Sequence, residues 1–301
     1  MIMTGTIIKA ISGFFYVDSD NKVYECRARG VFKKNKLTPL VGDKVRFEAD
    51  GDSGVVTEIF PRKNQLVRPP IANIDKLFIV SSFTTPAPNT LLIDRVISIA
   101  ESKKIEPVIV FNKTDLGNFD NYRDIYNNAG FKTIVCSALT GEGISQILDC
   151  MRGSICAFTG NSGVGKSSII NAAFPDFEIE TGDVSQKLGR GRHTTREVSL
   201  YKSGDCCFAD TPGFSAFDLE RCEKIYKDEL PLTFREFEPY LLNCKFSPSC
   251  SHTSEKGCAI IEAVKNGEIS ESRYKSYCEL YSQIKDIKDW EIKKLNNKNF
   301  Q

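Results

Sequence analysis

The chain has 301 residues, 41% of them hydrophobic and 26% charged, and its 40 Lys and Arg balance 39 Asp and Glu to leave a net charge of +1. This excludes a disordered polyelectrolyte and a polycation, so nucleic-acid binding would need a local patch, and the length points to two or three domains. No apolar run is long enough to span a bilayer, Met1–Gly5 opens no signal-peptide segment, and the eleven Cys are scattered and odd in number, so a cytoplasmic, reduced setting with no membrane partner is expected.

Residues 1–68 read as a β domain. Thr6–Ile8, Gly13–Val17, Lys22–Cys26, Asp43–Phe47 and Gly54–Ile59 are short, rich in β-branched and aromatic residues, and separated by turn residues such as Asp18–Asn21 and Asp50–Asp52. Five such strands suit a small closed barrel of the oligonucleotide-binding type (OB-fold). The segment holds 12 Lys and Arg against 8 Asp and Glu, with Arg27, Arg29, Lys33, Lys34 and Lys36 clustered beside Phe32. The cluster reads equally as an RNA-backbone footprint with a stacking ring at Phe32 or as a solvated loop. Pro61–Pro70 follows as a linker, its prolines and basic residues favouring an extended segment.

From Ile74 strands and helices alternate. Lys76–Val80, Pro107–Phe111, Lys132–Cys136 and Ile155–Thr159 are apolar strands; Thr90–Lys103, Tyr122–Ala129 and Ile144–Met151 are helices. The pattern is that of a doubly wound parallel sheet. Asn112-Lys113-Thr114-Asp115 follows one strand, at the crevice end. A carboxylate at Asp115 can accept both the N1–H and N2–H donors of guanine, a pair adenine lacks. Asn112 would brace the next loop and the Lys113 stem would cover the base. Ser137 and Ala138 end the following strand, where a backbone N–H can meet guanine O6.

The run Gly160-Asn161-Ser162-Gly163-Val164-Gly165-Lys166-Ser167 fits G-x-x-x-x-G-K-[ST], with a strand before it and a helix from Ser168 after it. Its backbone N–H groups would cradle phosphates at the helix N-terminus, Lys166 would reach the β- and γ-phosphates, and the Ser167 hydroxyl would ligate Mg2+. Asp210-Thr211-Pro212-Gly213 closes the strand Cys206–Ala209, with Asp210 the expected carboxylate of the Mg2+ shell and the Gly213 N–H able to reach the γ-phosphate. Between them, Gly189–Arg196 is basic and Gly-rich, and one of its threonines, Thr195 in preference to Thr194, would join Mg2+ and the γ-phosphate.

Beyond residue 222 the alternation stops. Cys244, Cys250, His252 and Cys258 form C-x5-C-x-H-x5-C, a donor set that matches one closed tetrahedral zinc site of structural type. The segment from Ala259 to about Lys294 reads as helical, with Tyr274, Tyr277, Cys278, Tyr281, Ile284 and Ile287 recurring at helical spacing. That stripe is either packing against the metal module or a partner groove.

These parts resemble the motifs of GTPases, except that Asn112 precedes Gly160 by 48 residues where the usual order places the phosphate loop first. The order is therefore that of a circularly permuted P-loop GTPase. With Pro61-Arg62-Lys63-Asn64, Arg68-Pro69 entering Ile71-Ala72-Asn73, Gly191-Arg192-His193-Thr194-Thr195 and the Cys/His cluster, nearly the whole chain resembles the ribosome small-subunit-dependent GTPase A family (RsgA/YjeQ-like). The resemblance implies a multi-domain chain: an OB-fold barrel over 1–68, a permuted α/β GTPase domain over 69–222 and a zinc-binding helical domain over 223–301. It further implies late maturation of the small (30S) ribosomal subunit through its 16S rRNA, with GTP hydrolysis stimulated by the subunit. The first zinc spacing is one residue longer than the family's form, which bears on Cys250. Nothing in the sequence calls for an obligate oligomer, so a monomer is expected.

Phe214 stands where many GTPases carry the Gln that orients water. His193 is the candidate replacement, as a neutral imidazole accepting a proton from water, or it contacts phosphate or RNA beside Arg190, Arg192 and Arg196. Two other readings stand beside the hydrolase. One is an RNA-binding adaptor with GTP as a mainly structural ligand; the other is an ATP-dependent enzyme, against which Asp115 argues.

Overall fold

The structure, a computed structural model, describes residues 1–30, 32, 37–83, 87–177, 198–210, 219 and 222–287. At its N-terminal end β1 (Ile2–Ile11), β2 (Phe14–Ser19) and β3 (Lys22–Ala28) form an antiparallel meander. The two-residue loop Asp20-Asn21 has both residues at positive φ, 52° and 61°, which suits the twist of a tight hairpin. β3 then pairs in parallel with β5 (Ser53–Ile59), β5 with β4 (Lys44–Asp50), and β4 with the first half of β1. The sheet is thus closed into the expected five-stranded barrel, with Ile7, Val17, Cys26, Val45, Phe47 and Val56 filling it. Phe32 belongs to this interior too, only 7% exposed. It is a core side chain, and the expected stacking ring at that position is withdrawn: burial of an aromatic ring outweighed its basic neighbours in sequence.

The linker is more structured than an extended tether. β6 (Gln65–Leu66) and β7 (Ile71–Ala72) pair as a small ladder. Arg62 grips the fully buried Asp43 with both ends of its fork, Nε to Oδ1 and Nη2 to Oδ2, each at 2.7 Å. Asn64 exchanges two hydrogen bonds with the backbone of Ile74.

The central sheet runs β10 (Lys132–Cys136), β9 (Glu106–Asn112), β8 (Lys76–Ser82), β11 (Ile155–Gly160), β13 (Cys206–Asp210), β12 (Ser199–Ser203). All neighbours are parallel except β12, which is antiparallel to β13. Alternate residues serve opposite faces. Leu77 and Ile79 join the core with α1 (Thr90–Ser102) and α2 (Asp120–Asn128), while Phe78 and Val80 join that of α3 (Ile144–Met151) and α4 (Lys166–Ala173). The sheet continues into the barrel: β1 is bulged between Ile7 and Lys9, and past the bulge Lys9 pairs with Ser199 of β12.

The C-terminal part carries short turns, α5 (Glu238–Leu241), α6 (Ala259–Lys265) and α7 (Glu271–Ile284). The helical stretch expected from Ala259 holds two helices, parted at Gly267, whose φ of 76° ends α6. Residues past 287 lie outside the described set. The aromatic stripe packs inward: Tyr277 is fully buried, its hydroxyl donating to Ser251 O at 2.7 Å, and Tyr274 donates to His252 O at 3.1 Å. The sequence pattern gave no sign of Arg273. It is 1% exposed, donates to Asp94 of α1 at 2.6 Å and to both oxygens of Glu236, and lies over the Phe234 ring. Burial raises the Asp94 carboxyl, against the pull of the Arg273 charge.

Candidate functional site

The parallel strands bring their C-terminal ends to one edge, with Asn112 opposite Ser82 and Cys136, and Gly160 opposite Val80. The loops that leave this edge are those singled out by the sequence. Asn112 is buried and ties two of them: its Nδ2 donates to Val164 O at 2.9 Å, and its Oδ1 accepts from Ala138 N at 3.1 Å. Lys113 sits at φ 71° and its ammonium donates to Gly163 O at 3.0 Å, so its stem crosses toward the phosphate loop. Asp115 Oδ1 accepts from the Ser137 hydroxyl at 2.6 Å, and Thr114 donates to Glu142 at 2.9 Å. Of the backbone N–H groups at this strand end, that of Ala138 is donated to Asn112.

Gly160 ends β11, residues 161–165 form the loop, and Lys166, Ser167 and Ser168 open α4. Gly165 has φ 91°, and a Cβ on it would lie 2.3 Å from Asn112 Nδ2, so only glycine lets the loop meet Asn112. The Lys166 ammonium donates to Gly160 O and Asn161 O, each at 2.9 Å, and burial lowers its pKa. Thr159 Oγ1 and Asn161 Oδ1 are buried without a hydrogen-bond partner among the described residues. A cleft of about 60 Å³ opens beside the loop, between Asn161–Val164 and the Ser81, Ser82 and Asn89 side. An anion-binding loop with a cation folded into it and buried oxygens unpaired fits a polyphosphate with its counter-ion.

Asp210 ends β13, the parallel neighbour of β11. Thr194, Thr195, His193, Gly213 and Phe214 lie outside the described residues, as do Lys33, Lys34 and Lys36 of the basic cluster.

The Cys/His cluster is assembled. All four residues are buried and their ligand atoms lie within 4.8 Å of one another. Cys244 Sγ is 3.9 Å from Cys258 Sγ, and His252 Nδ1 is 3.2 Å from the same sulfur. A tetrahedral zinc with Zn–S near 2.3 Å would set sulfurs about 3.8 Å apart, so the spacing fits that ion, and Cys250 stands in the cluster despite its longer spacing. Glu255 shapes the turn between the ligands by accepting from the N–H groups of Ser251, Thr253 and Ser254 and from the Ser251 hydroxyl. Burial would raise its carboxyl, but these bonds win and hold it down to about 2. No helix among the described residues is long and apolar enough to cross a membrane.

Comparison with known proteins agrees with this layout. The RsgA GTPase family model matches residues 59–220, and the RsgA N-terminal domain model matches residues 4–56. The chain is 46% identical over 291 residues to "Small ribosomal subunit biogenesis GTPase RsgA" of Geobacillus sp. (strain WCH70), covering 94% of this chain and 98% of that protein. The protein of the same name in Geobacillus thermodenitrificans (strain NG80-2) is 44% identical with the same coverage. Among solved structures, YjeQ from Thermotoga maritima aligns with a TM-score of 0.80 at 32% identity over 96% of this chain and 100% of its own. YloQ, described as a circularly permuted GTPase, aligns with a TM-score of 0.80 at 35% identity over 96% of each chain.

Proposed function

The chain belongs to the RsgA GTPase family, and on that premise we propose that it is a GTP hydrolase acting in biogenesis of the small ribosomal subunit. The observation that carries the reading is the knot at the sheet edge, where Asn112 joins the Asn-Lys-Thr-Asp loop to the phosphate loop through Val164 and to the next loop through Ala138. Such a knot sets a base reader and a phosphate cradle on one rigid frame, as binding of one nucleotide requires.

Asp115, with Lys113, Thr114, Ser137 and Ala138 around it, reads guanine. Gly160 to Ser168 hold the phosphates, with Gly213 at the γ-phosphate. Ser167, Thr195 and Asp210 are the protein ligands of Mg2+, which neutralises phosphate charge when bound. Cys244, Cys250, His252 and Cys258 hold one structural zinc, which cross-links the C-terminal turns. The partner is the small subunit, engaged through 16S rRNA by the barrel over 1–68 and the zinc-binding part over 223–301, on either side of a GTPase domain over 69–222. The protein works as a monomer in the cytoplasm, where subunits are built.

The test is GTP turnover with purified small subunits, with large subunits and with neither. Strong stimulation by small subunits alone is expected. Bound GTP with no stimulation by small subunits would overturn the reading in favour of an adaptor with GTP as a structural ligand. His193 is the proposed base for water, since Phe214 cannot orient it. His193→Ala should lower stimulated turnover far more than GTP affinity; equal losses would remove His193 from the chemistry.

A further inference from the structure

Asp115 is an exposed side chain on a loop, yet reading two donors of one base edge needs both carboxylate oxygens held in direction. One bond from Ser137 fixes one oxygen. What fixes the loops that carry these two residues is Glu142, a side chain that none of the sequence motifs includes.

Glu142 acts twice. Its backbone carbonyl accepts from Ser137 N at 3.0 Å, which closes the loop from Ser137 to Glu142 on itself. Within that loop Gly141 N donates to Ser137 O at 2.9 Å and Thr140 N to the Ser137 hydroxyl oxygen at 3.2 Å. Its carboxylate then crosses to the other loop and accepts from the Thr114 hydroxyl at 2.9 Å. One residue thereby holds the residue that orients Asp115 and the residue that precedes it. Gly143, at φ 73°, turns the chain so that Glu142 faces Thr114 rather than continuing into α3.

We propose that Glu142 and Thr114 form a positioning latch for guanine recognition: neither touches the base, and together they keep the Asp115 carboxylate aimed. This rests on the reading of Asp115 as the guanine carboxylate. Without the latch Asp115 still carries its charge, but the two loops separate more easily and one of its two hydrogen bonds to the base weakens first. Hypoxanthine offers only one of the two donors and needs less exact aim, so the latch sets the preference for guanine over hypoxanthine nucleotides as well as affinity.

The test measures binding of GDP and IDP by the full chain, using a competition assay against a fluorescent guanine nucleotide. Thr114→Val and Glu142→Ala should each weaken GDP about fivefold, the size of one ordinary net hydrogen bond, and weaken IDP less. Glu142→Gln keeps an acceptor for the Thr114 hydroxyl and should bind as the unaltered chain does. The double variant Thr114→Val/Glu142→Ala should be no worse than either single change, because both remove the same link. Unchanged GDP affinity in the two single variants, or additive losses in the double one, would overturn the latch. Asp115→Ala separates the premise from the proposal. A large loss there with none at Thr114 or Glu142 refutes the latch alone, whereas no loss at Asp115 refutes the guanine reading beneath it.

Discussion

The nucleotide edge and the Cys/His cluster are both built from turns, yet they treat their own polar atoms in opposite ways. At the sheet edge most of the named groups bond one another, Asn112 to Val164, Lys166 to two loop carbonyls and Ser137 to Asp115, with Thr159 Oγ1 and Asn161 Oδ1 left over. Around His252 four ligand atoms converge with sulfur 3.2 Å from nitrogen and 3.9 Å from sulfur, and only a cation at the centre reconciles them as thiolates. The difference is that of an edge whose groups bond one another against a cluster whose ligand atoms converge on one point that could hold a metal ion. A switch must have a folded empty state; a structural metal replaces a core that the turns cannot supply.

The largest effect should come from metal removal. Chelation, or Cys258→Ser, should abolish hydrogen-exchange protection over α6 and its preceding turns, since structural zinc contributes about 10 kcal/mol or more in small modules, while GDP still binds. Protection that survives would place the cluster in the same class as the nucleotide edge. Next in size, Arg273→Ala should cost about 3 to 5 kcal/mol in a denaturant melt, because Asp94 and Glu236 would keep buried charge without a partner. A cost under about 1 kcal/mol would mean that these ion pairs do little to hold this end of the chain in place. Gly165→Ala drives a methyl into Asn112, and GDP affinity should fall by roughly 1 to 3 kcal/mol with the zinc module untouched. The smallest effect is expected from Glu255→Gln: the amide keeps one oxygen for two of the four donors and sets its NH2 against the others, and at this solvated turn melting should shift by about 1 kcal/mol.

Local chemistry was legible in the sequence. The phosphate loop, Asn112–Asp115 and the Cys/His spacing each lie within one short run, and each demands residue types that few other roles demand. The barrel strands were legible because the turns Asp18–Asn21 and Asp50–Asp52 punctuate an alternating pattern. What escaped was anything decided at a distance. Arg273 and Asp94 are 179 residues apart, and neither position looks unlike a surface charge. Phe32 could not be placed from the sequence, because its neighbours in sequence are basic while its neighbours in space are apolar. The Arg62 fork on Asp43 turned a stretch that composition makes a tether into a fixed joint. Glu142 was invisible for a related reason: its partner sits on the preceding loop, and Thr-Glu spacing across a helix and a strand carries no signature.

The single pairing of Lys9 with Ser199 reaches further than its size. Ser199 also stands opposite Asp210, so Lys9, Ser199 and Asp210 form one row across three strands. Strand spacing of about 4.8 Å puts the barrel within about 10 Å of the strand end that carries the expected Mg2+ carboxylate. An outer strand next to the switch of a nucleotide-dependent sheet is an open template for strand addition by other chains. Here that template is engaged at Ser199 by the chain's own first strand. Any chain that approaches the sheet at Ser199 therefore meets β1 of the barrel first.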